Sequence, residues 1–262
     1  MALFLLFTVN PIMQNLQWAV MFPELHARGY LLTFANDGQT CYTGVMKKII
    51  SFDLDGTLVH GKYGDLVWNK GVPEEYSLKY GLPFEEARQR VRAQYEAIGD
   101  TNVEWYDINY WLAKFALPVP AKTLLDRFES FIEAFPDTAE VLKTLAERYT
   151  LVVASNAARI FVEKELSHTH LEMYFAHVIS ATSDYGMVKK EDGFYGRLCR
   201  TLSASPQDMV HVGDHYTFDF LAPTQCGIDA YHVVYDHSPS NASSPDTNGK
   251  TIRSLSELLH KL

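Results

Sequence analysis

Asp53 and Asp55, two aspartates separated by one residue, are the groups in this chain whose context most favours chemistry. They follow the apolar run Ile49–Phe52 and precede Gly56 and Thr57. Apolar residues at odd and even positions predict a strand buried on both faces, as in a parallel sheet. Ligands of open α/β sheets bind beyond the carboxyl ends of the strands, so both carboxylates are expected in a site there. One could act as a nucleophile and the other could transfer a proton, whereas a simple Asp-Gly turn is the alternative.

A second predicted strand, Thr150–Ala154, ends at Ser155 and Asn156. A hydroxyl and the backbone N–H groups at a helix start can bind phosphate oxygens. These two residues are therefore a candidate phosphate site, and a plain helix N-cap is the alternative for Ser155.

Two later segments add a lysine and more carboxylates. Lys189 and Lys190 follow a strand predicted for His177–Ala181, and either could neutralise a phosphoryl group unless the pair is merely exposed. Asp214 follows a strand predicted for residues 209–213, with Asp219 five positions later. Mg²⁺ prefers oxygen ligands and keeps several waters, so few protein carboxylates are needed to bind it.

The four segments, in this order, resemble the four motifs of the haloacid dehalogenase superfamily, most of whose members are Mg²⁺-dependent phosphatases. Asp-Leu-Asp-Gly-Thr at 53–57 resembles the first motif, the strand closed by Ser155 the second, and Gly213-Asp214 the fourth. The third motif is a lysine that precedes an aromatic pair, here Phe194-Tyr195, and this spacing selects Lys189. Lys190 stands where family members often have proline, so it remains an alternative to Lys189.

The resemblance implies a role for each site residue. Asp53 would be the nucleophile and Asp55 the general acid and base. Mg²⁺ would be held by Asp53, Asp214 and the backbone carbonyl of Asp55. Lys189, Ser155 and Asn156 would bind the phosphoryl group, with Lys189 also counted as catalytic, and Asp219 would support the loop or the lysine.

The resemblance also implies the fold, a doubly wound parallel-sheet (Rossmann-like) α/β core with an inserted α-helical cap. We expect the core at 46–64 and 136–262 and the cap at 65–135. Glycines at 61 and 64 suggest a hairpin-like flap over the site, and the last cap helix is predicted over 121–135. Residues 1–45 fit poorly with the rest of the chain, and we interpret them as an extension that arises from an over-called start.

The composition limits which kinds of partner the protein is expected to bind. The net charge of −9 argues against a general nucleic-acid binder, because little basic surface is left to neutralise phosphates. The apolar run Ala2–Phe7 is too short to span a membrane, which takes roughly 20 residues. Three cysteines without paired or metal-type spacing indicate reduced thiols, and we expect a cytoplasmic protein.

The sequence therefore predicts a phosphatase that hydrolyses a small phosphate monoester through an aspartyl-phosphate. Its alternatives are a phosphomutase, a phosphonatase or a dehalogenase on the same core. A non-catalytic interaction protein that uses the aromatic cap surface is the alternative from a different functional class.

Overall fold

The computed structural model describes residues 31–34, 40–43, 49–189, 193–235 and 247–262. The chain divides into two compact units, residues 1–48 and 49–262. In the first unit, strands β1 (Leu31–Phe34) and β2 (Thr40–Thr43) pair antiparallel, with Leu31 opposite Thr43. The proposed over-called start lies largely outside the described residues and stays a prediction.

The second unit is built on a six-stranded parallel sheet. Its strands are β3 (Ile49–Phe52), β4 (Thr150–Ser155), β5 (His177–Ser180), β6 (Met209–Gly213), β7 (Asp229–Val233) and β8 (Thr251–Ile252). Their order is β5-β4-β3-β6-β7-β8, and every neighbouring pair is parallel. The predicted fold class is confirmed. β8 was not predicted, because a two-residue strand leaves no readable pattern.

The sheet is buried on both faces, as the apolar pattern of β3 predicts. Ile50 and Phe52 join one apolar cluster, and Ile49 joins another with Val152 and Ala154. Neighbouring side chains of a strand point to opposite faces, so the two clusters mark two layers of helices. The helices that follow residue 135 are α6 (Thr138–Ala146), α7 (Arg159–Thr169), α8 (Phe194–Thr201), α9 (Ala222–Gln225) and α10 (Leu258–Lys261).

Between β3 and β4 the chain forms a helical insertion, residues 62–131. Its helices are α1 (Lys62–Leu66), α2 (Val72–Tyr80), α3 (Phe84–Ile98), α4 (Ile108–Lys114) and α5 (Ala121–Asp126). They enclose their own apolar cluster, which includes fully buried Trp111 and Tyr63 and reaches Phe161 of α7. Whether the insertion is a separate cap domain with the expected boundaries remains a prediction.

Two local predictions in this region are wrong. The expected flap at 61–64 is instead the start of helix α1, because Gly61 has a negative φ of −67° and makes no hairpin turn. The last long helix of the insertion ends at Asp126 rather than at Phe135. The next residues include Phe128, Phe131 and Ile132, types with lower helix propensity, and they continue as a short 3₁₀ turn at Glu129–Phe131.

Among the described residues, no helix combines the length and the apolar character needed to cross a bilayer.

Candidate active site

The predicted site residues meet at the carboxyl end of the sheet. β3 lies between β4 and β6, and Phe52 is opposite both Val153 and Val212. Asp53, which directly succeeds β3, donates its backbone N–H to the carbonyl of Val212 at 2.8 Å. Since the three strands are parallel, their carboxyl ends bring Asp53, Ser155 and Asp214 to the same edge.

Lys189 connects two of the carboxylates. Its Nζ lies 2.7 Å from Oδ1 of Asp53 and 2.6 Å from Oδ1 of Asp219, and only 1% of the residue is exposed. Burial alone would lower the pKa of Lys189, but the charges of Asp219 and Asp53 outweigh it and raise the pKa. Lys189 is therefore a fixed positive charge beside the expected nucleophile, while Lys190 lies outside the described residues.

Asp219 is fully engaged by protein donors. Oδ1 accepts from Lys189 and lies 3.1 Å from Nε2 of His211, and Oδ2 accepts from the backbone N–H of His215 at 3.0 Å. Burial opposes ionisation of Asp219, but the charge of Lys189 and the contact with His211 lower its pKa overall. This geometry supports the expected role of Asp219 in holding the loop and Lys189. Asp219 also belongs to a group of possible metal ligands.

Asp53, Asp214 and Asp219 form that group, in which one carboxylate oxygen of each lies within 4.8 Å of the others. Because the oxygens of Asp219 already have donors, Asp53 and Asp214 are the two best able to bind a cation. Burial, and then the charges of Asp53 and Asp219, raise the pKa of Asp214. A group of oxygen donors with excess negative charge, which faces a cleft where the ion can keep its waters, fits Mg²⁺.

The turn at Gly56 lies directly against Asp214. Gly56 has φ of +75°, and a Cβ atom there would sit 2.3 Å from Oδ2 of Asp214. Glycine is therefore required for both the backbone conformation and the close approach. On the other side, His232 Nε2 lies 2.8 Å from the carbonyl of Asp214 and holds this loop.

Asp55 lies beyond Asp53 and is half-buried. Burial and then the charge of Asp53 raise its pKa to about 7. A carboxyl with such a pKa can both give and take a proton near neutral pH. Its Oδ1 faces Gly64 of helix α1, where a Cβ would come within 3.8 Å.

Sequence reasoning missed Glu165 of helix α7, which is 1% exposed. Among the described residues, neither of its carboxylate oxygens has a conventional hydrogen-bond donor. Its pKa is raised by burial and then by the charge of Asp55. Without a donor to stabilise its ionised form, Glu165 favours the protonated state beside Asp55. An acid on the same helix face as Phe161, Val162 and Leu166 was the available sequence signal.

Of the predicted phosphate-binding residues, Ser155 ends strand β4 and Asn156 begins the loop after it, and neither is a helix cap. The Ser155 hydroxyl accepts from the backbone N–H of Ala157 at 3.1 Å, which leaves its own proton free to donate. Asn156 Oδ1 accepts from the backbone N–H of Lys189 at 2.8 Å. Helix α7 begins only at Arg159, and Ala158 occupies its N-cap position, so Ser155 is not the N-cap.

The carboxylates line a cleft of about 900 Å³. We call the group formed by Asp53, Asp55, Ser155, Asn156, Lys189 and Asp214 the strand-end wall. Facing it across the cleft is the insertion wall, which comprises Trp68, Arg88, Arg92, Tyr95, Trp105 and Tyr106. Sequence periodicity predicted that this region is helical but did not identify which of its aromatic rings face the cleft.

Comparisons with known proteins agree with this geometry. The family model described as haloacid dehalogenase-like hydrolase matches residues 47–227, which is more than half of the chain. The chain therefore belongs to the haloacid dehalogenase-like hydrolases, as the four motifs indicated.

Individual relatives within this family have several recorded activities. The chain is 25% identical over 166 residues to the GMP/IMP nucleotidase YrfG of Escherichia coli, covering 63% of this chain and 73% of the relative. It resembles the crystal structure of a HAD phosphatase from Thermococcus onnurineus, with a TM-score of 0.71 and 26% identity. The match covers 82% of this chain and 97% of the other. A 2-haloacid dehalogenase from Pseudomonas syringae shares the fold, with TM-score 0.57, 22% identity, and 82% and 97% covered. Relatives thus include both phosphatases and dehalogenases, and hydrolysis is their common chemistry.

Proposed function

We propose that this hydrolase is a Mg²⁺-dependent phosphatase that cleaves a small phosphate monoester through an aspartyl-phosphate at Asp53. The observation that carries the proposal is Lys189, whose ammonium group bridges Asp53 and Asp219 while Asp214 lies beside them. This arrangement places a nucleophilic carboxylate, a fixed cation and a cation-binding acid around one point. Phosphoryl transfer depends mainly on such positioning and charge stabilisation.

In the first half of the reaction, Asp53 attacks phosphorus and the phosphoryl group passes to its carboxylate. Ser155 and Asn156 donate hydrogen bonds to the phosphoryl oxygens, and the ammonium group of Lys189 neutralises the negative charge of those oxygens. Mg²⁺ held by Asp53, Asp214 and the carbonyl of Asp55 would supply further neutralisation of those oxygens. Asp219 keeps Lys189 in place throughout.

Asp55 serves both halves of the reaction. With its pKa raised to about 7, it is protonated often enough to donate a proton to the leaving alkoxide. The resulting carboxylate then removes a proton from the water that cleaves the aspartyl-phosphate. The raised pKa of Asp55 comes from its own burial and from the charge of Asp53, whereas Glu165 lowers it.

For the substrate, we propose a phosphate ester whose leaving group carries a planar ring, such as a nucleoside monophosphate. The insertion wall offers half-buried Trp68, Trp105 and Tyr106, and the cleft is larger than a two- or three-carbon phospho-acid requires. The nucleotidase relative points in the same direction. We expect neither nucleic acid nor membrane as a partner, and a cytoplasmic location stays a prediction.

Three features distinguish this proposal from the alternatives. A halide leaves without a proton, so a dehalogenase has little use for an acid at Asp55. A phosphonatase needs an insertion lysine for a Schiff base, and Lys189 is the only lysine among the described residues that line the cleft. A non-catalytic protein has no need for a buried cation held against two acids. A phosphomutase remains the alternative on the same core.

The proposal is tested with the Asp53→Asn variant and with metal removal. The asparagine keeps the size of the side chain but lacks the attacking anionic oxygen, so phosphatase turnover should fall at least a thousandfold while the fold survives. EDTA should abolish the wild-type activity and Mg²⁺ should restore it. Near-normal turnover by Asp53→Asn, or release of halide from 2-haloacids without phosphatase activity, would refute the proposal.

Comparing nucleoside 5′-monophosphates with ribose 5-phosphate tests the proposed substrate class separately. The two esters share phosphate and sugar and differ only in the base. We expect a kcat/KM at least tenfold higher for the nucleotide, which would be attributable to the ring. Equal values would exclude recognition of a planar leaving group but leave the phosphatase chemistry intact.

A further inference from the structure

His211, in the middle of strand β6, is fully buried, and its ring has a partner at each nitrogen. Nδ1 lies 2.8 Å from the hydroxyl of Ser51, which is the parallel neighbour of His211 on strand β3. Nε2 lies 3.1 Å from Oδ1 of Asp219. The ring therefore connects the centre of the sheet to the carboxylate that holds Lys189.

The distances around Ser51 indicate which ring nitrogen of His211 carries the hydrogen. The Ser51 hydroxyl is closer to Nδ1, at 2.8 Å, than to the carbonyl of Val210, at 3.3 Å. When the hydroxyl proton is directed at Nδ1, the ring hydrogen lies on Nε2 and is donated to Asp219. The opposite tautomer would set the lone pair of Nε2 against a buried carboxylate.

A single oxygen of Asp219 receives both side-chain donors. Nζ of Lys189 lies 2.6 Å from Oδ1, and His211 donates to the same atom. The other oxygen, Oδ2, accepts the backbone N–H of His215 at 3.0 Å. Because the same ammonium group lies 2.7 Å from Oδ1 of Asp53, the charge on the shared oxygen competes with the nucleophile for Lys189.

We propose that His211 is a positioning residue, which fixes Oδ1 of Asp219 so that the ammonium group of Lys189 stays directed at Asp53. The ring N–H takes up part of the negative charge on Oδ1 and so weakens the pull of Asp219 on Lys189. Ser51 keeps the ring in the donating tautomer. The inference rests on the proposed function for the reaction that Lys189 serves, and it extends the site into the middle of the sheet.

Steady-state kinetics of four full-chain variants test this inference. His211→Leu fills the space but has no donor, so kcat should fall about tenfold, the usual size of a hydrogen bond to a charged group, with little change in KM. His211→Gln keeps an amide N–H and should restore most of kcat. Ser51→Ala frees Nδ1 and should lower kcat about fivefold. Thr138→Val is the matched control, because it removes a buried hydroxyl bond of 3.0 Å to the Leu58 carbonyl and should leave kcat unchanged.

Two further measurements do not depend on turnover. In a crystal structure of His211→Leu, Nζ of Lys189 should lie beyond hydrogen-bond distance, about 3.5 Å, from Oδ1 of Asp53, whereas His211→Gln should keep the contact. Long-range proton–nitrogen NMR of the wild type should show the ring hydrogen of His211 on Nε2. An unmoved Lys189 in His211→Leu, or a bare Nε2, would overturn the inference.

The kinetic outcomes are equally decisive. An unchanged kcat in His211→Leu, or an equal loss in His211→Gln, would overturn the positioning role, because the donated N–H would then not matter. If His211→Leu does not fold, an unchanged kcat in Ser51→Ala has the same meaning. A similar loss in Thr138→Val would show a general effect of buried polar groups and would also overturn it. Wild-type protein that hydrolyses no ester would refute only the proposed function, and the position of Lys189 would then decide this inference.

Discussion

Buried or half-buried polar and charged side chains form the strand-end wall of the cleft, whereas exposed arginines and mostly half-buried aromatic rings form the insertion wall. Lys189 is 1% exposed and pairs with Asp53 and Asp219, and Asp219 is completely buried with Lys189 and His211 as its partners. On the insertion wall, the side chain of Arg92 is 69% exposed and pairs with Glu96 in solvent. This difference is the basis of the division of labour that we propose, in which the strand-end wall carries out the reaction and the insertion wall selects the leaving group.

The largest effect is expected from Lys189→Met. The exchange leaves the carboxylates of Asp53 and Asp219 buried without their cation, which typically costs about 3–5 kcal/mol of unfolding free energy. Turnover should fall at least a thousandfold, because the phosphoryl group also loses its neutralising charge. Denaturant unfolding and steady-state kinetics measure the two effects.

Lys122→Met is the matched control for that loss. Lys122 pairs with Asp126 at 2.7 Å, but its side chain is 80% exposed. A surface pair of this kind contributes about 0–1 kcal/mol, so stability and turnover should hardly change. Similar losses in the two variants would contradict the assignment of Lys189 as a buried functional cation.

The second effect concerns Asp55 and depends on the substrate. Asp55→Asn removes the acid that protonates an alkoxide, so turnover of alkyl phosphates should fall about 10²–10⁴-fold. First-step rates for activated aryl phosphates should fall much less, because a phenolate departs without protonation. Rapid-mixing kinetics on both ester types measure the contrast, and equal first-step losses would remove Asp55 from the acid role.

The third effect is on the pH dependence of stability. Asp55 binds its proton more tightly in the folded protein, since its pKa rises from 3.8 to about 7. This stabilising contribution is full below pH 4 and is lost as the pH rises through 7. The lowered pKa of Asp219 acts oppositely only below its ordinary value, and the lowered pKa values of His211 and His232 act oppositely up to about pH 6.5. The raised pKa values of Glu165 and Asp214 act in the same direction as that of Asp55. The melting temperature of metal-free protein should therefore fall between pH 5 and pH 8.

Mg²⁺ should reverse that trend, because the cation binds the ionised carboxylates of the folded chain. We expect the rise in melting temperature on adding Mg²⁺ to be greater at pH 8 than at pH 5. Calorimetric scans with EDTA and with Mg²⁺ at both pH values test this. An equal rise at both values would count against a metal held by Asp53 and Asp214.

The smallest effect is expected from the insertion wall. Trp105→Leu removes a half-buried ring that lines the cleft but keeps an apolar side chain. The preference for nucleotides over ribose 5-phosphate should fall about tenfold, the size of one lost base–ring contact, with little change in stability. A large loss on both esters would show that this wall takes part in the chemistry and would weaken the division of labour.

The same division explains what could be predicted from sequence. Strand-end residues were predictable because an apolar strand that runs into Asp53, Ser155 or Asp214 fixes both the element and the end at which the side chain lies. Lys189 was selected by its spacing to Phe194, and its contact with Asp53 agrees with that choice. The roles assigned to these residues stay predictions until the variants are measured.

The insertion wall was not predictable, because helical periodicity identifies a buried face but not what that face meets. Trp105 and Trp111 are six residues apart, yet Trp111 is fully buried while Trp105 lines the cleft. Glu165 was missed for a related reason, since its partner Asp55 is more than a hundred residues away in sequence. The interpretation of Gly64 as a turn residue was wrong, because it lies within helix α1, where a Cβ would meet Oδ1 of Asp55 at an ordinary contact distance of 3.8 Å.

The most direct test of the central claim is to trap the phosphoryl group on Asp53. Asp55→Asn lacks the base that hydrolyses the intermediate, so it should accumulate when the variant is mixed with an activated aryl phosphate and Mg²⁺. After acid quench and proteolysis, mass spectrometry should find one phosphoryl group on the peptide that contains Asp53, and hydroxylamine should remove it. Continued turnover with Asp53 unmodified, or a phosphoryl group on another residue, would contradict the account.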